Sequence, residues 1–217
     1  MNRRIAVGCY IVLVLSVWGG AATAQPRTFN VNYTSRATFK TDAPLETIVG
    51  TTAGQGAVTG SVIVDPARPQ DAKGTVRVDL NALKTGIDRR DTHMRSKDFL
   101  DSEANETNRW AVFEIKGIDV AGPLEPGKAT PAKARGTLTI RGKPIETVAD
   151  CTINYLRLTP EQIEGQKRYG FSAENMRVTA KFATAFTNHG MQVPQLLFLK
   201  VSNDIQLETD LVLILAP

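Results

Sequence analysis

From residue 29 onward, apolar and polar side chains take turns along much of the chain. Phe29, Val31 and Tyr33 alternate with polar residues, and Ala37 and Phe39 resume the pattern after Ser35-Arg36. Val58, Val62 and Val64 share one parity as far as Asp65-Pro66, and Val76, Val78 and Leu80 alternate with Arg77, Asp79 and Asn81. Phe113 and Ile115, then Leu138 and Ile140, repeat it; Ala149, Cys151, Ile153 and Tyr155 share a face opposite Asp150, Thr152 and Asn154. At the end of the chain, Ile205, Leu207, Leu211 and Leu213 take odd positions while Asp204, Gln206, Glu208 and Asp210 take even ones. A period of two sends each set to its own side of a β-strand. One apolar face and one wet face characterise antiparallel sheets rather than buried parallel ones.

Turn chemistry separates these runs. Asp65-Pro66-Ala67-Arg68-Pro69 reads as one loop, residues 121–134 as a longer one, and Asn188-His189-Gly190 as a tight turn. The charged stretch 88–105 lacks the alternation. There Asp91 is read as the N-cap of a short helix over Thr92 to Phe99, with Phe99 and Leu100 tying its end to the sheet. A weaker helical turn is predicted over 159–164, with Pro160 in its first turn. About eight strands with one apolar face and a single helix predict an all-β fold, a closed antiparallel barrel that leaves no edge strand.

The composition, 42% hydrophobic and 22% charged over 217 residues, is that of an ordinary globular domain. The first 24 residues change the picture. Arg3 and Arg4 precede a mostly apolar run from Ile5 to Trp18, and Ala22-Thr23-Ala24 has the small-x-small form of a cleavage site. The run is shorter than the ~20 residues of a membrane-spanning helix. The expectation is a signal peptide over 1–24 and one domain over 25–217, exported and without a lasting membrane anchor. Of 26 basic residues, two lie in the leader, so the remainder exceeds the 22 acidic residues by only two. With no long run of like charge, a nucleic-acid partner is not expected. Export also removes Cys9, and Cys151 alone forms no internal disulfide, so the core must hold the fold in an oxidising compartment.

Motifs for catalysis are absent: neither Gly-x-Ser-x-Gly nor His-Glu-x-x-His occurs, and there is no phosphate loop. His93, His189 and Cys151 are scattered rather than clustered, so no metal site and no catalytic residue is expected. His93 has two readings, a donor to a ligand headgroup or a structural partner of Asp91 or Asp98. Arg90, Arg95 and Lys97 likewise either meet a polar headgroup or form a solvated helix face. Cys151 is expected to face inward and to be unreactive.

One stretch resembles a known family. Leu83 to Leu100, with Arg90-Asp91-Thr92-His93-Met94-Arg95-Ser96-Lys97-Asp98-Phe99-Leu100 at its centre, is followed by a Phe113-Glu114-Ile115 strand. Together with Gly136 to Gly142 and the closing strand Asn203 to Leu215, it is similar to the YceI family of lipocalin-like periplasmic proteins. Residues 38–59 depart from the family's aromatic-rich pattern, carrying Gly50, Gly54 and Gly56 instead. The resemblance implies a lipocalin-like eight-stranded barrel with a helix at its mouth and an apolar cavity for a polyisoprenoid or the tail of an isoprenoid quinone. That lipid-like ligand is the expected partner, with no resident cofactor; a homodimer is left open. The implied function is a periplasmic carrier that is not an enzyme. Two alternatives stand beside it, an enzyme or redox partner acting on a lipid-like substrate, and a barrel filled by its own side chains.

By parity the inward set is Val62, Val78, Leu80, Phe113, Ile115, Leu138, Ile140, Ile153, Phe171, Ile205, Leu207 and Leu211, with Phe99 added from the helical segment and His93 and Arg95 as candidates at the mouth. Burying ~500 Å² of apolar surface yields on the order of 12 kcal/mol gross. Association costs ~4–15 kcal/mol, so the ligand must be long.

Overall fold

In the computed structural model, residues 25–196 and 199–217 are described. The expected signal peptide, residues 1–24, lies outside them. The first four strands come in two broken pairs: β1 (Arg27–Val31) and β2 (Arg36–Ala43), then β3 (Glu46–Thr52) and β4 (Val58–Val64). β1 pairs with β4 and β2 with β3, so each pair is one bent stave interrupted near its middle. β5 (Lys73–Asp79) continues past a single 3₁₀ turn into β6 (Leu83–Lys84). After helix α1 (Asp88–Arg95) come the long strands β7 (Trp110–Val120), β8 (Ala129–Ile140) and β9 (Lys143–Arg157). Helix α2 (Pro160–Gln166), β10 (Glu174–Ala185), the short pair β11 (Gln195–Leu196) and β12 (Leu199–Lys200), and β13 (Asp204–Leu215) complete the order.

The sheet runs β1-β4-β5-β7-β8-β9-β10-β13 and returns to β1, which closes eight antiparallel staves into a barrel. The seam is shared: Gln206–Asp210 of β13 pair with β2, and Leu213–Leu215 pair with β1. Closure satisfies the backbone groups an open edge would leave unpaired.

Several expectations are corrected. The helix begins four residues earlier than predicted and ends at Arg95. Asp91 is not its N-cap but a fully buried member of the helix, whose carboxylate turns back to accept from the Thr85 N–H (2.9 Å) and hydroxyl (2.7 Å). The long loop shrinks to 121–128, because β8 already starts at Ala129; Pro131 fits there because it lies beyond the last β8 residue paired with β7. The second helix forms with a reciprocal cap: the Gln162 N–H donates to the Thr159 hydroxyl (3.3 Å), and the Thr159 N–H to the Gln162 side-chain oxygen (2.9 Å).

Buried apolar side chains fall into two clusters stacked along the barrel. The lower one packs Phe29, Val62, Val64, Ile153, Met176 and Leu213 at the end where the chain enters β1 and leaves β13. There the buried Tyr155 hydroxyl donates to Glu174, which also pairs with Arg27, while Arg157 Nε donates to the same hydroxyl at 3.0 Å. The upper cluster sets Leu80, Met94, Phe99, Leu138, Phe186 and Ile205 under α1. His189 is wholly buried, its ring bridging the Thr184 hydroxyl (2.8 Å) and the Lys143 carbonyl (3.2 Å) and so tying the end of β10 to the start of β9. Gly190 ends that turn at φ 68°, a left-handed value that costs glycine little.

Candidate functional site

Where the lower cluster meets the upper one, inward positions of the staves carry small side chains. Ala37 of β2, Ala134 of β8, Ala149 and Cys151 of β9 and Ala180 of β10 lie within one belt, Ala134 opposite Ala149 and Cys151 opposite Ala180. Large side chains above and below leave this belt short of atoms, and a cavity of about 140 Å³ results. Val76 and Val78, Phe113 and Ile115, Val178 and Phe182, and Leu207 and Leu211 complete most of its wall. Thr209, whose register partner on β10 is Ala180, and also Thr38 and Glu208 border a space whose lining is otherwise apolar.

Two glycines give the aromatic rings room. A Cβ at Gly50 would stand 2.2 Å from the Phe39 ring, its register partner across β2 and β3, so the ring lies flat on the strand only because residue 50 has no side chain. Gly136 serves Phe113 in the same way, its notional Cβ 2.8 Å from the ring and 2.2 Å from the Glu114 carbonyl. The glycine-rich stretch 38–59 thus trades side-chain bulk on one stave for an aromatic ring supplied by its neighbour.

Phe39 also borders a second space, a groove of about 510 Å³ at the barrel mouth. The β2–β3 turn (Pro44, Leu45, Glu46 and Ile48) forms one bank and the α1 segment (Ile87, Arg89, Arg90, His93 and Met94) the other. Phe99 and Phe186, edge to face with centroids 5.3 Å apart, line it from within. The His93 ring lies near-parallel to Phe99 at 6.2 Å. Arg90 donates to Glu46 across the groove at 2.7 Å, tying the banks together.

Of the residues expected to line the interior, Val78, Leu80, Phe113, Ile115, Leu138, Ile140, Leu207 and Leu211 border the cavity, and Phe99 borders the groove. Val62 and Ile153 are buried instead in the lower cluster, and Ile205 in the upper one, outside the cavity wall. Phe171 is misplaced by the parity argument: it precedes β10 rather than lying in a strand, and its ring sits 6.2 Å from Tyr169. Arg95 leaves the groove altogether, its guanidinium turned toward Glu103 at 3.7 Å. His93 does line the groove and is exposed there. Phe39, Phe182, Thr209 and the alanine belt were missed. Their signal, small residues recurring at inward parity on neighbouring strands, is present in the sequence but acquires meaning only when the barrel sets them at one height.

Two titratable groups at the cavity and its mouth are held in fixed states. Burial pushes the Cys151 thiol up, so the one sulfur on the wall stays protonated and a poor nucleophile. Burial works against the Asp91 carboxylate, but the bonds from Thr85, with Lys84 and Arg95 nearby, hold it below the usual aspartate range. It therefore stays ionised and anchors α1 over the mouth. Among the described residues no three His, Cys, Asp or Glu side chains stand together as a metal site would need, and no helix is long and apolar enough to cross a membrane. Chemically, the arrangement offers dispersion and desolvation to an apolar chain, with most of its polar contacts at the rim.

A family model described as the YceI-like domain matches residues 24–213. No curated protein matches the sequence. Among solved structures the fold is similar to that of a polyisoprenoid binding domain from Saccharophagus degradans, with TM-score 0.61 and 15% identity over 88% of this chain and 100% of that one. Burkholderia cenocepacia BcnA gives 0.60 and 15% over 82% and 95%. The Campylobacter jejuni YCEI protein gives 0.58 and 17% over 78% and 85%. Likenesses at such identities establish a shared fold.

Proposed function

The chain belongs to the YceI-like family, and from that premise we propose that it binds and carries an apolar chain, a polyisoprenoid or the tail of an isoprenoid quinone, without transforming it. The observation that carries this reading is the cavity behind Phe39, about 140 Å³ in volume and almost wholly apolar, together with the wider groove that shares Phe39 as a wall. A dry apolar void of about 150 Å³ takes one benzene ring, so the cavity suits about one isoprene unit, and the 510 Å³ groove takes several more. A ligand filling both reaches the range of ~300–1,000 Å³ usual for small-molecule sites. Girth and length then set selectivity, with Thr209, His93 and Arg89 among the polar groups within reach of a ligand that carries oxygen atoms. The structural neighbour described as a polyisoprenoid binding domain supports this ligand class. The leader-like first 24 residues support a periplasmic site of action.

The test is direct. Protein purified from a bacterial host is extracted with organic solvent, the extract analysed by mass spectrometry, and the stripped protein titrated with a polyprenol and with an isoprenoid quinone. An isoprenoid-type compound in the extract and saturable binding of at least one probe are expected. An empty extract together with no binding of either probe overturns the proposal.

A further inference from the structure

The rim of the mouth is built differently from the barrel wall. Along the staves, outward side chains pair in ions, Lys116 with Glu146, Arg135 with Asp119 and Arg177 with Asp210. Exposed apolar residues there, such as Ile63 on β4 and Val148 on β9, stand apart, as is ordinary for a protein surface. At the mouth, by contrast, Leu45 projects from the tip of the β2–β3 turn with 89% of its surface exposed, next to Pro44. Facing it from the opposite bank, Ile87 is 48% exposed at the residue before α1. Both line the groove that shares Phe39 with the apolar cavity. Of the charges on the banks, Glu46 is neutralised by Arg90, whereas Arg89 has no ion pair among the described residues and is exposed. Asp88, one residue earlier and also exposed, is the acidic group that opposes it.

We propose that this rim docks on an anionic lipid bilayer, Leu45 and Ile87 entering the interfacial region and Arg89 facing the headgroups. The chemistry of the cargo favours that surface. A chain ligand too apolar to cross water must pass between barrel and bilayer without being wetted, and the groove provides that passage only if its open side meets the membrane. Apolar side chains that enter the headgroup boundary beside cations are how peripheral proteins hold to anionic membranes. The contact is shallow and reversible, and it calls for no spanning helix.

Vesicle co-sedimentation tests this, with every variant carrying the same N-terminal segment so that differences report the mouth alone. Vesicles of phosphatidylethanolamine with phosphatidylglycerol are compared with vesicles of phosphatidylcholine. The parent chain pellets with the anionic vesicles, and less so as salt is raised. Leu45→Glu with Ile87→Glu lowers the partition coefficient by roughly tenfold or more. Both side chains are exposed, so this variant folds, which circular dichroism checks. Arg89→Ala reduces the preference for anionic over neutral vesicles, and Asp88→Asn increases it. Ala149→Leu, which fills the inner cavity, pellets like the parent, so docking is read separately from ligand uptake. Equal pelleting of parent and Leu45→Glu/Ile87→Glu, or no pelleting of the parent with either vesicle, overturns the proposal and leaves the rim for a protein partner.

Discussion

Filling the belt of small residues is the sharpest test of the cavity. Ala149 is buried on β9 opposite Ala134, and its methyl group faces the space. Replacing it with leucine adds three carbons where atoms are missing. An unfilled apolar cavity costs ~24 cal/mol per Å³, so a void of about 140 Å³ leaves the unliganded barrel roughly 3 kcal/mol short of a filled one. If the leucine occupies a third to a half of that space, the unliganded protein gains ~1 kcal/mol, which for a domain of this size raises Tm by ~2–4 °C. The same carbons displace ligand. Three methylene equivalents at ~0.8 kcal/mol each amount to ~2.4 kcal/mol, or about 50-fold weaker binding. Scanning calorimetry of the stripped protein and a titration with an isoprenoid quinone read the two effects. The reasoning fails if Ala149→Leu destabilises the stripped protein by more than ~1 kcal/mol, since overpacking of an already filled core behaves that way. It fails equally if the quinone binds as before, because the ligand would then lie elsewhere.

Two further outcomes follow from the buried polar groups. Asp91→Ala strips the Thr85 N–H and hydroxyl of their acceptor and leaves Lys84 without its partner; a loss of ~2–3 kcal/mol in urea unfolding is expected, with Asp91→Asn losing less, and a change under ~0.5 kcal/mol refutes the anchoring role. Burial lowers the His189 pKa from its ordinary 6.5, more than the Lys143 and Ile140 carbonyls raise it. As pH falls below about 6.5, the unfolded chain therefore takes up a proton that the folded chain does not. The stability from this group is complete above about 6.5 and declines toward the folded-state value. Denaturation midpoints at pH 7.5 and 5.5 should show that slope in the parent and a flatter one in His189→Gln; parallel slopes count against it.

Much of this molecule is legible in the chain because a β-stave writes itself at period two. Val76-Val78, Phe113-Ile115 and Leu138-Ile140 fall on the inner face, as their parity requires. Parity is uninformative where backbone leaves the strand. Phe171 has the right residue type but sits in the connection ahead of β10, so its parity carries no information. Asp91 has the type of an N-cap, yet the acceptor it supplies is taken by Thr85 across a turn of chain, a partnership invisible to local rules. Val62, Ile153 and Ile205 point inward like their neighbours, and only their height along the barrel separates core from cavity wall. The cavity itself is written in what is missing. Alanines at 37, 134, 149 and 180 are unremarkable one by one, and the pairing of β8 with β9, of β9 with β10, and of β10 and β2 with β13 sets them on one arc of the wall. The rim residues Leu45 and Ile87 occupy a turn and a pre-helical position, where no periodicity speaks for them.

The interruption of the first two staves, between β1 and β2 and between β3 and β4, divides responsibilities along the barrel axis. Beneath the break, tight packing around Phe29 and Tyr155 and the ionic clasp of Arg27 with Glu174 act as a keel. Above it, wall residues differ mainly in the space they leave, as the alanines of β8, β9 and β10 and Gly50 beside Phe39 show. A change of side-chain size at one of these positions alters the volume on offer without touching the clasp of Arg27 and Glu174.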